Sequence, residues 1–333
     1  MRTIKALNIF YQEPDPDRWI KYDRYPRRWI RRFLRGKPKP GGVMMVAIEL
    51  MKGLKKLNIP YRFNDFNYID DHPEEIACII GKPQLLFNRK WKNPILFGAG
   101  VYSHPTDCPK LFEVYPNVKK FLVPGNWMKE MCCPYYGDKV EAWPVGIDTA
   151  KWTNKNKRQN LIVDFLIYDK IRWELDESER DLLQVIINEL KSKNLKYHII
   201  KYGGYKHQDL VNELNISKAA IFLCEHETQG MAYQQILATN TPIIAWDRAG
   251  YWKDPSYYPE IKYAPVSSVP YWDYRCGLKF KSPSTFAYVL EEFLTKYEEG
   301  AFFPREYIRE NLSLEICTIK YVDIYKDVLS ALP

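Results

Sequence analysis

The chain has 333 residues, of which 46% are hydrophobic and 15% aromatic, and 49 Lys and Arg against 41 Asp and Glu give a formal net charge of +8. That length exceeds what one hydrophobic core ordinarily supports, so two domains are expected; no apolar run approaches the roughly 20 residues of a transmembrane helix, and the opening MRTIKALNIFYQEPD has no apolar signal-peptide segment. Seven cysteines without a C-x-x-C and five scattered histidines argue against a disulfide framework and a metal site, and for reduced thiols in a cytoplasmic setting.

In chain order, residues 4–11 read as a first strand. Gly41 and Gly42 then open an amphipathic helix with Val46, Leu50 and Leu54 on one face. Strands follow at 61–63, 77–80, 95–97, 120–123 and 140–143. The polar stretch TNKNKRQ, residues 153–159, is the expected linker. A second series begins with a strand at 161–168, a helix over 177–193 striped by Leu182, Ile186 and Leu190, and a strand at 197–200. It continues to the apolar runs 219–223 and 243–246. Strands alternating with helices of this length imply parallel sheets and βαβ units in both halves, hence an α/β fold with two doubly wound Rossmann-like domains facing each other across a cleft.

Two segments stand apart from this scaffold. Residues 24–39, RYPRRWIRRFLRGKPK, place Trp29, Ile30, Phe33 and Leu34 on one helical face and Arg27, Arg28, Arg31, Arg32 and Arg35 on the other. A basic amphipathic helix of this kind suits peripheral contact with an anionic membrane surface, or an acceptor-side helix packed by its aromatics. The other segment is residues 227–243, ETQGMAYQQILATNTPI, directly after an apolar strand. Glu227 sits at the tip of a loop, and Gly230 precedes a helix whose first amides are unpaired and lie at its positive dipole end. Those amides suit a diphosphate, and the carboxylate accepts hydrogen bonds from hydroxyls. Together they suit a sugar attached to a nucleoside diphosphate.

The segment from His226, HETQGMAYQQILATNTPIIAW, resembles the E-x7-E signature of retaining glycosyltransferases of the GT-B fold, family four in the usual classification. It is similar in particular to a subgroup that reads H-E-S-Q-G-x-A-x-Q-E-A-L. The segments PGG (40–42), VPGNWM (123–128), WPVGID (143–148), VPYWDYRCGLKF and PREYIRENLS fit in order, so the likeness spans about residues 4–320. The resemblance implies an acceptor-binding domain over 1–152, a nucleotide-sugar-binding domain over 160–313 and a final helix, 314–333, that crosses back to the first domain. It implies that Lys170 and Arg172 grip the diphosphate, and that Glu227 positions the donor sugar through its hydroxyls. Helix-start amides at Gly230, Met231 and Ala232 would assist, beside Gln229. The second acidic position of the signature is Gln235 here, which weakens the expected bond to the ribose.

From the residues themselves, Gly41 and Gly42 let backbone approach a phosphate closely, and Gly203 and Tyr205 follow a strand where a base would lie. His104, in GAGVYSHP, belongs to the acceptor or donor-sugar side, with Asn126, Trp127 and Asp148 near the interdomain edge. Each residue also has a plain structural reading. Glu227 would cap a helix, Lys170 and Arg172 would be solvated charges, Trp127 would be core, and His104 and the glycines would make turns.

The expected activity is metal-independent glycosyl transfer (hexosyl or pentosyl) from a UDP- or GDP-sugar to a hydroxyl of a glycan or glycolipid, with retention. The alternatives are a glycosyltransferase acting on modified DNA, a nucleotide-sugar epimerase and a lapsed, non-catalytic nucleotide-sugar binder. The only D-x-D, Asp15-Pro16-Asp17, lies just after the first strand, the wrong place for a metal-dependent transferase fold.

Overall fold

The structure is a computed structural model that describes residues 5–12, 20, 23, 26–27, 29, 41–99, 102–173 and 175–332. Asp15 and Asp17 lie outside the described residues, as does most of the arginine-rich segment, including Arg28, Arg31, Arg32 and Arg35. Among the described residues, no helix is long and apolar enough to cross a membrane.

The chain divides into two compact units. The first takes residues up to Pro124, then Lys129–Val145, then those from Cys317 onward; the second takes Gly125–Met128 and Gly146–Ile316. In the first unit, β1 (Leu7–Phe10), β2 (Tyr61–Phe63), β3 (Ala77–Ile79), β4 (Ile95–Phe97), β5 (Val118–Val123) and β6 (Val140–Ala142) form one parallel sheet in the order β2-β1-β3-β4-β5-β6. The central strands β1, β3 and β4 are fully buried and read as short, mostly apolar runs, as strands of a parallel sheet covered on both faces do. The helix Gly42–Lys56 buries Leu50 and Leu54 completely, as its stripe requires. Trp143 ties the C-terminal residues to this unit: its indole donates to the Cys317 carbonyl at 2.8 Å, and its ring meets Tyr321 at 4.7 Å.

In the second unit, β7 (Val163–Asp169), β8 (Tyr197–Lys201), β9 (Ser217–Leu223), β10 (Ile243–Trp246) and β11 (Gly277–Phe280) are parallel in the order β11-β10-β9-β7-β8. Leu182, Ile186 and Leu190 of the helix Leu182–Ser192 pack on this sheet with Phe165, Ile221, Trp246 and Phe293. Between β10 and β11, residues 247–276 contain no strand and no helix beyond one turn of 3-10 helix, Tyr274–Cys276. A loop that long within a compact unit is usually functional.

The structure differs from the sequence reading in several places. The first strand stops at Phe10, because the backbone of Tyr11 is taken by the Asn64 side chain, which donates to the Tyr11 carbonyl (2.9 Å) and accepts its N–H (3.0 Å). The helix expected over 177–193 begins at Leu182, after a separate 3-10 turn at Glu177–Glu179 that places Glu179 against Arg248 at 3.1 Å. Residues 153–159 are not a free linker. Arg158 N–H donates to the Asn215 carbonyl (2.9 Å), and Lys157 donates to the Ser217 carbonyl (3.1 Å), where burial lowers its pKa to about 8. This stretch falls within the second compact unit, which takes in Gly146–Ile316. Arg305 holds this early segment by donating to the carbonyls of Thr149 (2.9 Å), Trp152 (2.8 Å) and Ala238.

Candidate functional site

In an open parallel sheet, ligands bind outside the carboxyl ends of the strands where the strand order reverses. In the second unit that point lies between β7 and β9, because β7 is followed in sequence by β8 on one side and paired with β9 on the other. The segments leaving these two strands are Lys170-Ile171-Arg172-Trp173 and Cys224-Glu225-His226-Glu227. Topology alone therefore brings Lys170 and Arg172 beside Glu227.

The bonds between the two segments are dense. Lys170 N–H continues the ladder onto the Leu223 carbonyl at 2.8 Å, and its ammonium donates to Glu227 Oε1. Only 12% of the Lys170 side chain and 9% of the Glu227 side chain are exposed. Burial disfavours the Lys170 ammonium, but the Glu227 carboxylate more than offsets this and holds its pKa above the ordinary value. Glu225 Oε1 accepts the backbone N–H groups of Arg172 (2.6 Å) and Trp173 (2.8 Å), and Glu225 Oε2 lies 3.5 Å from Arg172 Nε. The Arg172 guanidinium also donates to the His226 carbonyl at 3.1 Å. The Lys170 ammonium sits 4.6 Å from the centre of the half-exposed Tyr202 ring, and the hydroxyls of Tyr168 and Tyr205 pair at 2.7 Å.

The Glu227 backbone is clamped on both sides. Its N–H donates to the Ser267 carbonyl (2.9 Å), and its carbonyl accepts the Trp127 indole N–H (2.8 Å). Trp127 is thus buried, as expected, but it also positions the acidic loop. Gly125 allows this approach, since a Cβ there would lie 2.4 Å from the Thr228 carbonyl. Gly230 precedes the helix Met231–Ala238 with φ +83°, and it offers no side chain to cap the helix. A Cβ on Gly230 would lie 2.1 Å from the Tyr233 ring. Gly230→Ala should therefore cost about 1–3 kcal/mol from backbone strain, with the ring clash adding to it, which urea unfolding would read directly.

The remaining expected residues are distributed as follows. Met231 and Ala232 are half-buried in the first helical turn. Gln229 is buried and donates to Gln234 Oε1 at 3.0 Å, so its amide serves the loop. Gln235 is half-buried in the helix, and its side chain makes no hydrogen bond to another described residue. Gly203, with φ +81°, and Tyr205 follow β8. Asn126 is exposed at the start of its helix, and Asp148 closes a turn by accepting the N–H groups of Ala150 (3.2 Å) and Lys151 (3.1 Å).

Gly41, Gly42 and His104 belong to the first unit. Gly41 and Gly42 follow β1, at that sheet's own reversal point between β1 and β3. Gly81, just after β3, keeps the backbone close to this segment, since a Cβ there would meet Val43 Cγ1 at 2.6 Å and the Tyr11 ring at 2.9 Å. Neither Gly41 nor Gly42 has a described atom within 4 Å of where its Cβ would be. His104 is buried, with Nδ1 2.8 Å from Thr106 Oγ1 and accepting the Thr106 N–H at 3.2 Å; burial pulls its pKa down against the opposing pull of Asp107.

Glu225 and Tyr202 have no part in the sequence reading, and His226 and the 247–276 loop enter it only through the resemblance, without a role. The triplet Glu225-His226-Glu227 at the end of a buried strand was the available signal, since charged groups in that position need partners.

No protein-family profile and no curated protein matches the chain. Among solved structures it is similar to the lipopolysaccharide outer core galactosyltransferase WaaB in its apo form (TM-score 0.54, 10% identity, 86% of this chain and 96% of that one). It is also similar to a mutant of S. aureus TarM in complex with fondaparinux, α-GlcNAc-glycerol and UDP (TM-score 0.53, 16% identity, 84% of this chain). The chain spans 58% of the TarM chain's length. At these identities the likeness concerns the fold, and with the two parallel sheets it establishes the two-domain α/β, Rossmann-like GT-B fold.

Proposed function

We propose that the protein transfers a sugar from a nucleotide diphosphate sugar to a hydroxyl acceptor on a glycan or glycolipid, with retention of configuration and no metal. The observation that carries this reading is the meeting of Lys170, Arg172 and Glu227 at the strand-order reversal of the second sheet, one turn from an uncapped helix start at Gly230. Two cations and free amides suit a diphosphate, and a carboxylate suits sugar hydroxyls. That one neighbour of the same fold is named a galactosyltransferase, and another is solved with UDP, supports the same assignment.

In the reaction, the bond between the anomeric carbon and the diphosphate oxygen breaks, and the acceptor oxygen bonds to that carbon on the same face. The acceptor's proton passes to the departing diphosphate. Lys170, Arg172 and the amides of Met231 and Ala232 stabilise the charge that grows on the leaving group. Glu227, once its ammonium partner turns to the phosphate, accepts from the sugar's hydroxyls. His104, Gly41 and Gly42 belong to the first unit, to which the resemblance gives the acceptor.

The test is release of nucleoside diphosphate from a panel of UDP-, GDP-, ADP- and dTDP-sugars, with the anomer of the product read by NMR. One donor should be consumed, and Arg172→Ala should slow it about a hundredfold. The absence of turnover with every donor and acceptor would favour the lapsed binder. Gln235→Glu restores a charged acceptor for the ribose and should tighten nucleotide binding roughly fivefold by calorimetry.

A further inference from the structure

His226 carries a group that none of the roles above uses. The residue is 5% exposed, and its ring is enclosed by three indoles, those of Trp173, Trp127 and Trp252, at centroid distances of 4.9, 5.7 and 6.5 Å. Trp252 Nε1 lies 3.2 Å from His226 Nε2. An indole nitrogen can only donate, so Nε2 must accept and must be unprotonated. The proton of the neutral imidazole therefore sits on Nδ1. Burial, with Arg172, Arg248 and Lys170 nearby, keeps a second proton off and lowers the pKa to about 3.

Nδ1–H is consequently a fixed donor. It is buried, and no described residue accepts from it. Native interiors rarely leave such a group unmatched, and each exception calls for an explanation. Packing does not supply one, because a phenyl ring would fill the same three-indole enclosure and leave no donor over. The ring's neighbours do supply one. His226 stands between Glu225 and Glu227 on the acidic loop, and its own carbonyl receives the Arg172 guanidinium. The clamp on Nε2 comes from Trp252 in the 247–276 loop, the same loop whose Ser267 carbonyl takes the Glu227 N–H.

We propose that His226 is a ligand-contacting residue, whose Nδ1–H donates to an oxygen of the nucleotide diphosphate sugar held by Lys170 and Arg172, with Trp252 fixing the tautomer. The inference rests on the reading under Proposed function and adds a neutral donor to the two cations. Trp173, whose ring lies 4.9 Å from the imidazole, is next to Arg172 in the chain, so a diphosphate seated on Arg172 would lie beside the enclosure that holds the donor.

Two substitutions separate the two ring nitrogens. In His226→Gln the amide oxygen takes the place of Nε2 and still accepts from Trp252, but nothing donates from the Nδ1 position. In His226→Asn an amide N–H replaces Nδ1–H, while the bond to Trp252 is lost. The full-length protein is screened with UDP-, GDP-, ADP- and dTDP-glucose, and the one that binds is then titrated calorimetrically against both variants. The expected result is a reversal: His226→Gln melts near the wild type but binds about ten- to a hundredfold more weakly, and His226→Asn melts lower but binds within severalfold of the wild type. A penalty seen equally with the nucleoside diphosphate alone puts the acceptor oxygen on the diphosphate; one seen only with the sugar attached puts it on the sugar. Wild-type binding by His226→Gln, or affinities that simply follow melting temperature, would overturn this inference alone. Failure of the wild type to bind any of the four would overturn the transferase reading along with it.

Discussion

Lys170→Met will destabilise the protein by about 3–5 kcal/mol, and Glu227→Gln by a similar amount, yet the double variant will lose far less than the sum. The two side chains form an ion pair that is almost wholly buried. Removing one partner leaves the other charge in a poorly hydrated place, whereas removing both leaves no charge to solvate. Urea unfolding of the wild type, the two single variants and the double variant gives the coupling directly. Additive losses would mean that water reaches the pair and that the two charges are independent. The same pair explains why the loop is poised for its proposed ligand: a diphosphate is a better partner for Lys170, and accepting it releases Glu227 toward hydroxyls. All three variants should therefore lose turnover by about a hundredfold or more, the double variant included, despite its recovered stability.

Acidification will destabilise the protein well above the ordinary carboxylate range, and His226 accounts for a defined share. Its pKa in the folded state is lowered to about 3 from the ordinary value of 6.5. Between those two values the unfolded chain binds a proton at this residue that the folded chain does not, so stability is full above about pH 6.5 and falls as the pH drops. At about pH 4.5 the loss is roughly two pH units' worth, about 2–3 kcal/mol. The measurement is the difference in unfolding free energy between about pH 7 and about pH 4.5 in the wild type and in His226→Gln. The variant should lose about 2–3 kcal/mol less, because glutamine does not titrate. Equal slopes would place the imidazole in contact with solvent or with an anion.

Much of the scaffold was legible in the sequence, for a physical reason. Strands buried on both faces read as unbroken apolar runs, and Ala219–Leu223 and Ile243–Trp246 are paired in register as β9 and β10. The stripe of Leu182, Ile186 and Leu190 is wholly buried. What failed were features set by a single distant partner. Tyr11 leaves the strand because Asn64 takes its backbone, and Lys157 converts an apparently solvated linker into an anchored segment. The strand Gly277–Phe280 was missed as well; Gly277, whose Cβ would lie 2.0 Å from the Ile243 carbonyl, gives the sequence a turn-like look where close strand packing demands glycine.

The site followed the same division. Glu227 and the glycine before its helix were visible because a loop, a carboxylate and a helix start occur in one run. That Lys170 and Arg172 meet this loop depends on β7 pairing with β9, which no local pattern announces, and only the resemblance brought them forward. The roles of Glu225 and His226 are not legible locally, because their partners, the amides of Arg172 and Trp173 and the indole of Trp252, lie 26 or more residues away.

The central claim is that the loop from Glu225 to Gly230, with Lys170 and Arg172, is a nucleotide-sugar site. Thermal unfolding with UDP-, GDP-, ADP- and dTDP-sugars, repeated on Arg172→Ala and Glu227→Ala, tests it most directly. A ligand that binds only the folded state at about 100 times its Kd adds about 2.7 kcal/mol, a rise in melting temperature on the order of 4 °C in a chain of this size. The account predicts that one donor gives this rise in the wild type and that both variants largely lose it. No rise with any donor at millimolar concentration, or a rise that both variants retain in full, would contradict it.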